Sequence, residues 1–183
     1  MKFNELRQEI AGCANLGFVK ASAHIEEVIF RLKKADVLKL MSEIGTIPED
    51  ICHDSTEEKL YTKASDILFA KALAEMNFAV QVLRERADCA DIVAQSRCHR
   101  YSLVGDAKAF RLSRTAKNAK DFKIMSMDHW RGECEFSVLT CPYFHYPKSA
   151  SQIYKDALDR NVALFSWEYL YTFERKCQRD RAA

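Results

Sequence analysis

The sequence has few residues that interrupt regular structure, because only 5 of its 183 residues are glycine and 3 are proline. This scarcity excludes collagen-like and low-complexity proteins. The net charge is only +2 at pH 7, so any attraction for a polyanion must come from where the charges lie. No apolar run approaches the roughly 18 residues of a membrane span. The opening residues 1–5 contain no signal-peptide apolar core.

The seven cysteines form no CxxC pair and are odd in number. A chain of this length buries roughly 70% of its unfolded surface, so it folds without disulfides or a structural metal. We therefore expect free thiols in a reducing cytoplasm. A zinc site from Cys134, Cys141 and His145 is the alternative, but these spacings match no common zinc pattern.

Three common catalytic motifs are also absent, namely GxxxxGK[ST], GxSxG and HExxH. Phosphate-binding loops, nucleophile elbows and helical zinc-protease sites are therefore not expected. The five histidines are scattered along the chain, which is typical of surface or core histidines rather than ligands.

The first quarter of the chain has helical periodicity, with apolar residues recurring every three or four positions over 3–11 and 21–43. Gly45 and Pro48 then interrupt the pattern. We predict an N-terminal helical arm or layer over residues 1–50 that covers a sheet.

Helices and strands mix from residue 51 onward. Ser55 and Glu58 have the spacing of a capping box and predict a helix over 56–78. Further strands are predicted at 80–83, 91–94, 101–108, 136–139 and 162–165, and further helices at 115–131, 150–160 and from 166. This order predicts an α/β core over 51–170, in which helices flank both faces of a mixed sheet. Residues 171–183 would form a short tail.

Two acids and a lysine stand out at the predicted strands. Asp91 begins one strand, and Asp106 and Lys108 lie two residues apart on the next, so their side chains share a face. Neighbouring strands would place Asp91 beside Asp106, where two carboxylates repel unless a proton or cation intervenes. Such oxygens suit Mg²⁺, and a lysine beside the metal suits phosphodiester cleavage. The alternative without catalysis is a solvated strand end with a surface ion pair.

Residues 97–123 are strongly basic, with eight Lys or Arg against two acids, a local net charge of +6. Five of these bases, from Arg111 to Lys123, recur every third residue, which on a helix would form a slanting basic stripe. Clustered bases suit a phosphate backbone, and Arg114, Lys117 and Asn118 have side chains that read guanine and adenine edges. The alternative is an ordinary solvated face.

The sequence resembles the HindIII family of type II restriction endonucleases over roughly residues 42–170. The longest matching run is Gly105 to Asn118, GDAKAFRLSRTAKN. The other matching segments are Ser55–Leu60, Lys120–Lys123, Pro147 with Ser151–Ile153, and Leu164–Glu168.

This resemblance implies a restriction-endonuclease-like PD-(D/E)xK core and a Mg²⁺-dependent site. It assigns Asp91 and Asp106 as metal-binding carboxylates and Lys108 as the catalytic lysine. Ala90 precedes the first acid where the motif has proline, a departure that leaves the carboxylate in place. Glu58 falls in a matching segment and is either a third acid at the metal or only the helix cap.

The resemblance also implies a DNA substrate. Asp121 would lie near the site, with Lys120 and Lys123 on phosphate and Arg114 to Asn118 near the bases. Arg111 belongs to the same basic segment. The expected target is a palindrome such as AAGCTT, cut by a homodimer to leave 5′-phosphate ends. A protecting DNA methyltransferase would be the companion protein in the host.

Two departures from the family keep other interpretations open. Family members are longer, with a mostly helical region after the equivalent of Trp167, so this chain is a shortened homologue, a fragment or a decayed copy. The stretch around Arg84 and Glu85 matches less well, so we transfer no acidic role to it. The alternatives are a DNA-binding remnant without cleavage and another nuclease of the superfamily that acts on branched DNA.

Overall fold

The computed structural model describes residues 1–83, 89–114 and 119–182. The helices there are α1 (Phe3–Cys13), α2 (Phe18–Phe30), α3 (Lys34–Met41), α4 (Thr56–Glu75), α5 (Ala119–Phe122), α6 (Ile124–Arg131), α7 (Gln152–Asp159) and α8 (Trp167–Ala182). The strands are β1 (Thr46–Ile47), β2 (Phe78–Val82), β3 (Ile92–Ser96), β4 (Ser102–Ala107), β5 (Phe110–Arg111), β6 (Phe136–Cys141) and β7 (Val162–Ser166). In the described ranges, none of these helices combines the length and the apolar character that a bilayer span requires.

Five strands form one mixed sheet in the order β2-β3-β4-β6-β7. The pairs β2–β3 and β3–β4 are antiparallel, whereas β4–β6 and β6–β7 are parallel. The strand β4 is therefore the central strand, where the two kinds of pairing meet. The two-residue strands β1 and β5 pair with each other outside this sheet. The predicted α/β class and mixed sheet are confirmed.

Apolar clusters cover both faces of the sheet. Successive residues of a strand point to opposite faces, and in β4 the side chain of Leu103 joins one cluster while that of Val104 joins the other. The first cluster contains α4 and the N-terminal helices, and the second contains α6 and α7. The helix α4 is buried along most of its length because it lies between β2–β4 and the N-terminal helices.

Two predicted segment boundaries differ from the structure. The stretch of helical periodicity over 21–43 belongs to two helices, α2 and α3, which are separated at residues 31–33 and both contact α4. No glycine or proline marks this break in the sequence. The helix α8 crosses residue 170, so the predicted tail continues a helix that packs on α3.

The single helix predicted over 115–131 is also wrong in its described part. Lys123 adopts a left-handed conformation with φ of 50° and separates α5 from α6. Arg111 lies in a strand, and Arg114 lies in non-helical backbone. The basic residues from Arg111 to Lys123 therefore do not share one helical stripe.

The packing of Gly105 in β4 gives a test of the fold. A Cβ added there would lie 2.7 Å from side-chain carbons of Ile92 and of Phe69, a residue of α4. We expect Gly105→Ala to lower the free energy of unfolding by about 1–3 kcal/mol through overpacking, measured by urea denaturation.

Gly12→Ala is the matched control. It makes the same change in α1, where an added Cβ meets nothing within 4 Å. It should raise stability by up to about 1 kcal/mol, because alanine is the better helix former. Equal stability of the Gly105→Ala and unsubstituted proteins would contradict the packing described for β4.

Candidate active site

Neighbouring strands bring Asp91 and Asp106 together. Ile92 pairs with Gly105 in the antiparallel ladder of β3 and β4, and the Asp91 N–H donates to the Gly105 carbonyl across 3.2 Å. Asp91 therefore stands opposite Asp106, and the two side chains offer carboxylate oxygens within 4.8 Å of each other. The structure thus places side by side the two acids that the sequence singled out.

Lys108 lies beside this acidic pair. Its Nζ donates to Oδ2 of Asp106 across 2.5 Å. Its backbone N–H donates to the Thr140 carbonyl of β6 across 2.7 Å, which fixes the chain just after β4. The side chain of Asp106 is only 2% exposed, whereas that of Asp91 is 37% exposed. The site is therefore open to solvent on the Asp91 side.

A third acid, Asp66, comes from the middle of α4. It is buried and accepts a 3.0 Å hydrogen bond at Oδ1 from the Ala107 N–H. Asp66, Asp91 and Asp106 each offer an oxygen within 4.8 Å of the other two, and we call these residues the acidic cluster. Sequence reasoning missed Asp66. The available signal was a lone carboxylate in an otherwise apolar stretch of helix.

Lys63 approaches the acidic cluster from the same helix. Its buried ammonium group donates to Oδ1 of Asp91 across 3.0 Å and to the Leu83 carbonyl across 2.8 Å. Lys63 and Asp66 are three residues apart and lie on one side of α4. The sequence analysis did not identify Lys63 as a site residue either.

Burial raises the pKa of two carboxyl groups in the cluster. Burial raises the pKa of Asp66 well above its ordinary value, the charges of Asp91 and Asp106 add to the effect, and Lys63 opposes it. Burial also raises the pKa of Asp106, although the Lys108 charge opposes the rise. The nearby lysines thus do not fully balance the negative charge of the cluster, and a bound divalent cation would reduce the repulsion among the carboxylates.

The acidic cluster fits a hard divalent cation. Carboxylate oxygens are the ligands that Mg²⁺ and Ca²⁺ prefer. Among the side chains that the structure describes, this cluster is the one group of three or more Asp, Glu, His or Cys residues with ligand atoms close enough to share an ion. Cys134, Cys141 and His145 do not form such a group there, which argues against the zinc alternative.

The sequence profile of the HindIII restriction endonuclease family matches residues 5–182. This chain belongs to that family. Its membership agrees with the cluster of acids and lysine at the centre of the sheet.

A relative of this HindIII-family chain is the type II restriction enzyme HindIII of Haemophilus influenzae (strain ATCC 51907 / DSM 11121 / KW20 / Rd). The two are 45% identical over 161 residues, which cover 88% of this chain and 54% of the relative. The chain therefore spans about half the length of this relative.

Glu58 of the HindIII-family chain lies outside the acidic cluster, so of its two predicted roles the structure contradicts that of a third acid at the metal. Its Oε1 accepts hydrogen bonds from Arg111 at 2.7 and 3.0 Å, and its Oε2 accepts from the Asp54 N–H at 2.7 Å. The Glu58 N–H donates to Oγ of Ser55, so the predicted N-cap is present. The third acid of the cluster is Asp66.

The side chain of Arg111 is buried, which contradicts its predicted contact with DNA. Its side chain is 5% exposed, and besides Glu58 it donates to the carbonyl groups of Pro48 and Ile51 at 3.0 and 2.7 Å. Its guanidinium group therefore joins β5, through hydrogen bonds, to the first turn of α4 and the loop before it. The periodicity of the basic residues did not distinguish this buried arginine from its exposed neighbours.

Of the other residues predicted to bind DNA, the structure describes Arg114, Lys120, Asp121 and Lys123. Arg114 forms an ion pair with Asp121 and lies 5.5 Å from the centroid of the Phe110 ring. Lys120 and Lys123 are exposed, and Lys123 acts electrostatically on Asp106. Lys117 and Asn118 lie outside the described residues.

The buried charge of Asp66 predicts a pH-dependent gain in stability from Asp66→Asn. With the pKa raised in the folded state, the carboxyl group stabilises the fold below its ordinary pKa of 3.8, and this contribution is lost as pH rises through the raised pKa. The asparagine carries no charge, and its side-chain oxygen still accepts from Ala107. At neutral pH in EDTA we expect a gain of about 1 kcal/mol or more.

Urea denaturation at a series of pH values measures this difference. Asp159→Asn, at an exposed position of α7, is the control and should show little change with pH. A destabilised Asp66→Asn protein at neutral pH would show that the charge of Asp66 is compensated.

The ion pair of Glu58 and Arg111 gives a second test. Glu58→Gln removes the carboxylate bonded to the buried Arg111 guanidinium group and leaves only that of Glu49 at 4.0 Å, which should cost about 3 kcal/mol of unfolding free energy. Glu57→Gln, in the same first turn of α4, makes the same chemical change and should cost less than about 0.5 kcal/mol. Calorimetry should also find unchanged Mn²⁺ binding in Glu58→Gln, and weaker binding would return Glu58 to the metal site.

Proposed function

We propose that this chain is a Mg²⁺-dependent endonuclease that cuts double-stranded DNA at a short palindrome. The observation that carries the proposal is the acidic cluster with Lys108 bonded to Asp106. Membership of the HindIII restriction endonuclease family supports it.

The proposed reaction is hydrolysis of one phosphodiester bond in each strand. A water oxygen attacks phosphorus, the bond to the 3′ oxygen breaks, and the products are a 5′-phosphate and a 3′-hydroxyl that gains the proton. Asp91 and Asp106, with Asp66, would hold Mg²⁺. When bound, Mg²⁺ supplies a Lewis acid that stabilises charge on the phosphoryl oxygens.

Lys108 contributes its own positive charge to this step. Its ammonium group lies beside Asp106, where it can donate to the attacking water or to a phosphate oxygen that gains negative charge. Asp106 in turn fixes the position of the ammonium group. Partial burial of the pair strengthens both interactions, because there is less water to screen them.

The proposed DNA contacts come from the segment after β5. Arg114, Lys117 and Asn118 would read base edges of a target such as AAGCTT, and Lys120 and Lys123 would contact phosphates. Arg114 would exchange its partner Asp121 for a guanine edge or a phosphate. A palindrome pairs with a two-fold symmetric dimer, so a homodimer is part of the proposal. So are a cytoplasmic location and a methyltransferase that protects host DNA.

Plasmid digestion with Mg²⁺ tests the proposal. We expect discrete fragments from the unsubstituted protein, and rates at least about 100-fold lower for Asp106→Asn and Lys108→Ala, because each removes a charged group from the reaction centre. Asp159→Asn and Lys155→Ala make the same changes at exposed positions of α7 and should cut normally. Sequencing the product ends would give the target and the stagger.

The remaining outcomes separate the alternatives. A plasmid left uncut at every salt concentration would contradict the proposed cleavage. Sequence-preferring gel shifts without nicking would indicate a DNA-binding remnant, and preferred cleavage of junctions would indicate a different nuclease.

A further inference from the structure

Lys63 is a buried cation at the helix side of the acidic cluster. Its side chain is 10% exposed, and a buried ammonium group requires an anionic or carbonyl partner. It has both, in the Asp91 carboxylate and the Leu83 carbonyl. Lys108 approaches the cluster through Asp106 instead, so the two ammonium groups have different carboxylate partners.

Each carboxylate of the cluster has one oxygen engaged by an N–H donor. The Ala107 N–H bonds Oδ1 of Asp66, Lys63 bonds Oδ1 of Asp91, and Lys108 bonds Oδ2 of Asp106. None of these three bonds uses the other oxygen of its group, which is therefore available to a shared ion. The bond from Lys63 thus restrains the orientation of the Asp91 carboxylate.

The charge of Lys63 competes with a bound cation. With every group ionised, the three carboxylates and two ammonium groups have a net charge of −1, which becomes −2 without Lys63. An ion bound to Asp91 would lie close to the Lys63 ammonium group and be repelled by it.

We propose that Lys63 is a positioning residue that orients Asp91 and weakens the affinity of the acidic cluster for a divalent cation. This inference rests on the proposed metal-dependent function. Losing the Lys63 charge should have two opposite effects. The ion binds more tightly because repulsion is removed, and DNA is cut more slowly because Asp91 is no longer held in one orientation.

Calorimetric titration with Mn²⁺ in the absence of DNA tests the first effect. Lys63→Gln removes the charge but keeps an N–H donor for the Leu83 carbonyl, and its dissociation constant for Mn²⁺ should fall about tenfold. Lys63→Arg keeps the charge and should bind Mn²⁺ about as the unsubstituted protein does. Lys59→Gln is the control, because it removes an exposed charge one turn earlier in α4.

Plasmid digestion by the same variants tests the second effect. Lys63→Gln should cut more slowly at saturating Mn²⁺, and Lys63→Arg should recover most of the rate. Tighter ion binding together with slower cleavage would not follow from a general loss of structure, which circular dichroism also monitors. If Lys63→Gln does not fold, Lys63→Met, which keeps the aliphatic stem, must show the same tighter binding.

The outcomes separate this inference from the proposed function. Mn²⁺ affinity in Lys63→Gln that equals that of Lys59→Gln, or is weaker, would overturn the role of Lys63. The metal site itself would stand if the unsubstituted protein bound Mn²⁺ and Asp106→Asn did not. Failure of the unsubstituted protein to bind Mn²⁺ would overturn both proposals.

Discussion

Three carboxylates crowd into a mostly buried space where β3, β4 and α4 meet, and the structure around them compensates only part of their repulsion. Asp66 and Asp106 are almost fully buried, so water screens them poorly. The compensation comes from two ammonium groups, those of Lys63 and Lys108, and from the backbone N–H of Ala107. A cluster with this charge balance favours a divalent cation. The pairing of the acids with two lysines and the proposed metal chemistry therefore both follow from the repulsion among these three carboxylates.

The helix α4 connects the acidic cluster to the rest of the chain. Its middle supplies Lys63 and Asp66 to the cluster, while its first turn supplies Glu58 to the buried Arg111. Arg111 ends β5, immediately before the segment that we propose to contact DNA. Ser113 in that segment bonds Glu49 through both its N–H and its hydroxyl group. The helix α4 thus bonds both to the residues proposed to bind metal and to Arg111, which stands just before the segment proposed to contact DNA.

The sequence predicted much of the sheet but only part of the site. Alternating and apolar runs predicted the five strands of the mixed sheet, because burial on a pleated surface leaves a local pattern. The proximity of Asp91 and Asp106 followed from adjacent strands. Asp66 and Lys63 were missed because their partners are 20 to 41 residues away in sequence, and spacing within a helix does not show this. Arg111 was misplaced because periodicity alone cannot tell a buried base from an exposed one.

The central position of β4 has a consequence for where the fold can accept insertions. Asp106 lies on the strand that has two strands of the sheet on either side, and Asp91 immediately precedes the strand next to it. Insertions or extra domains that join at the edge strands, β2 and β7, leave the inner ladder untouched. Additions at these edges would therefore leave Asp91 and Asp106 beside each other.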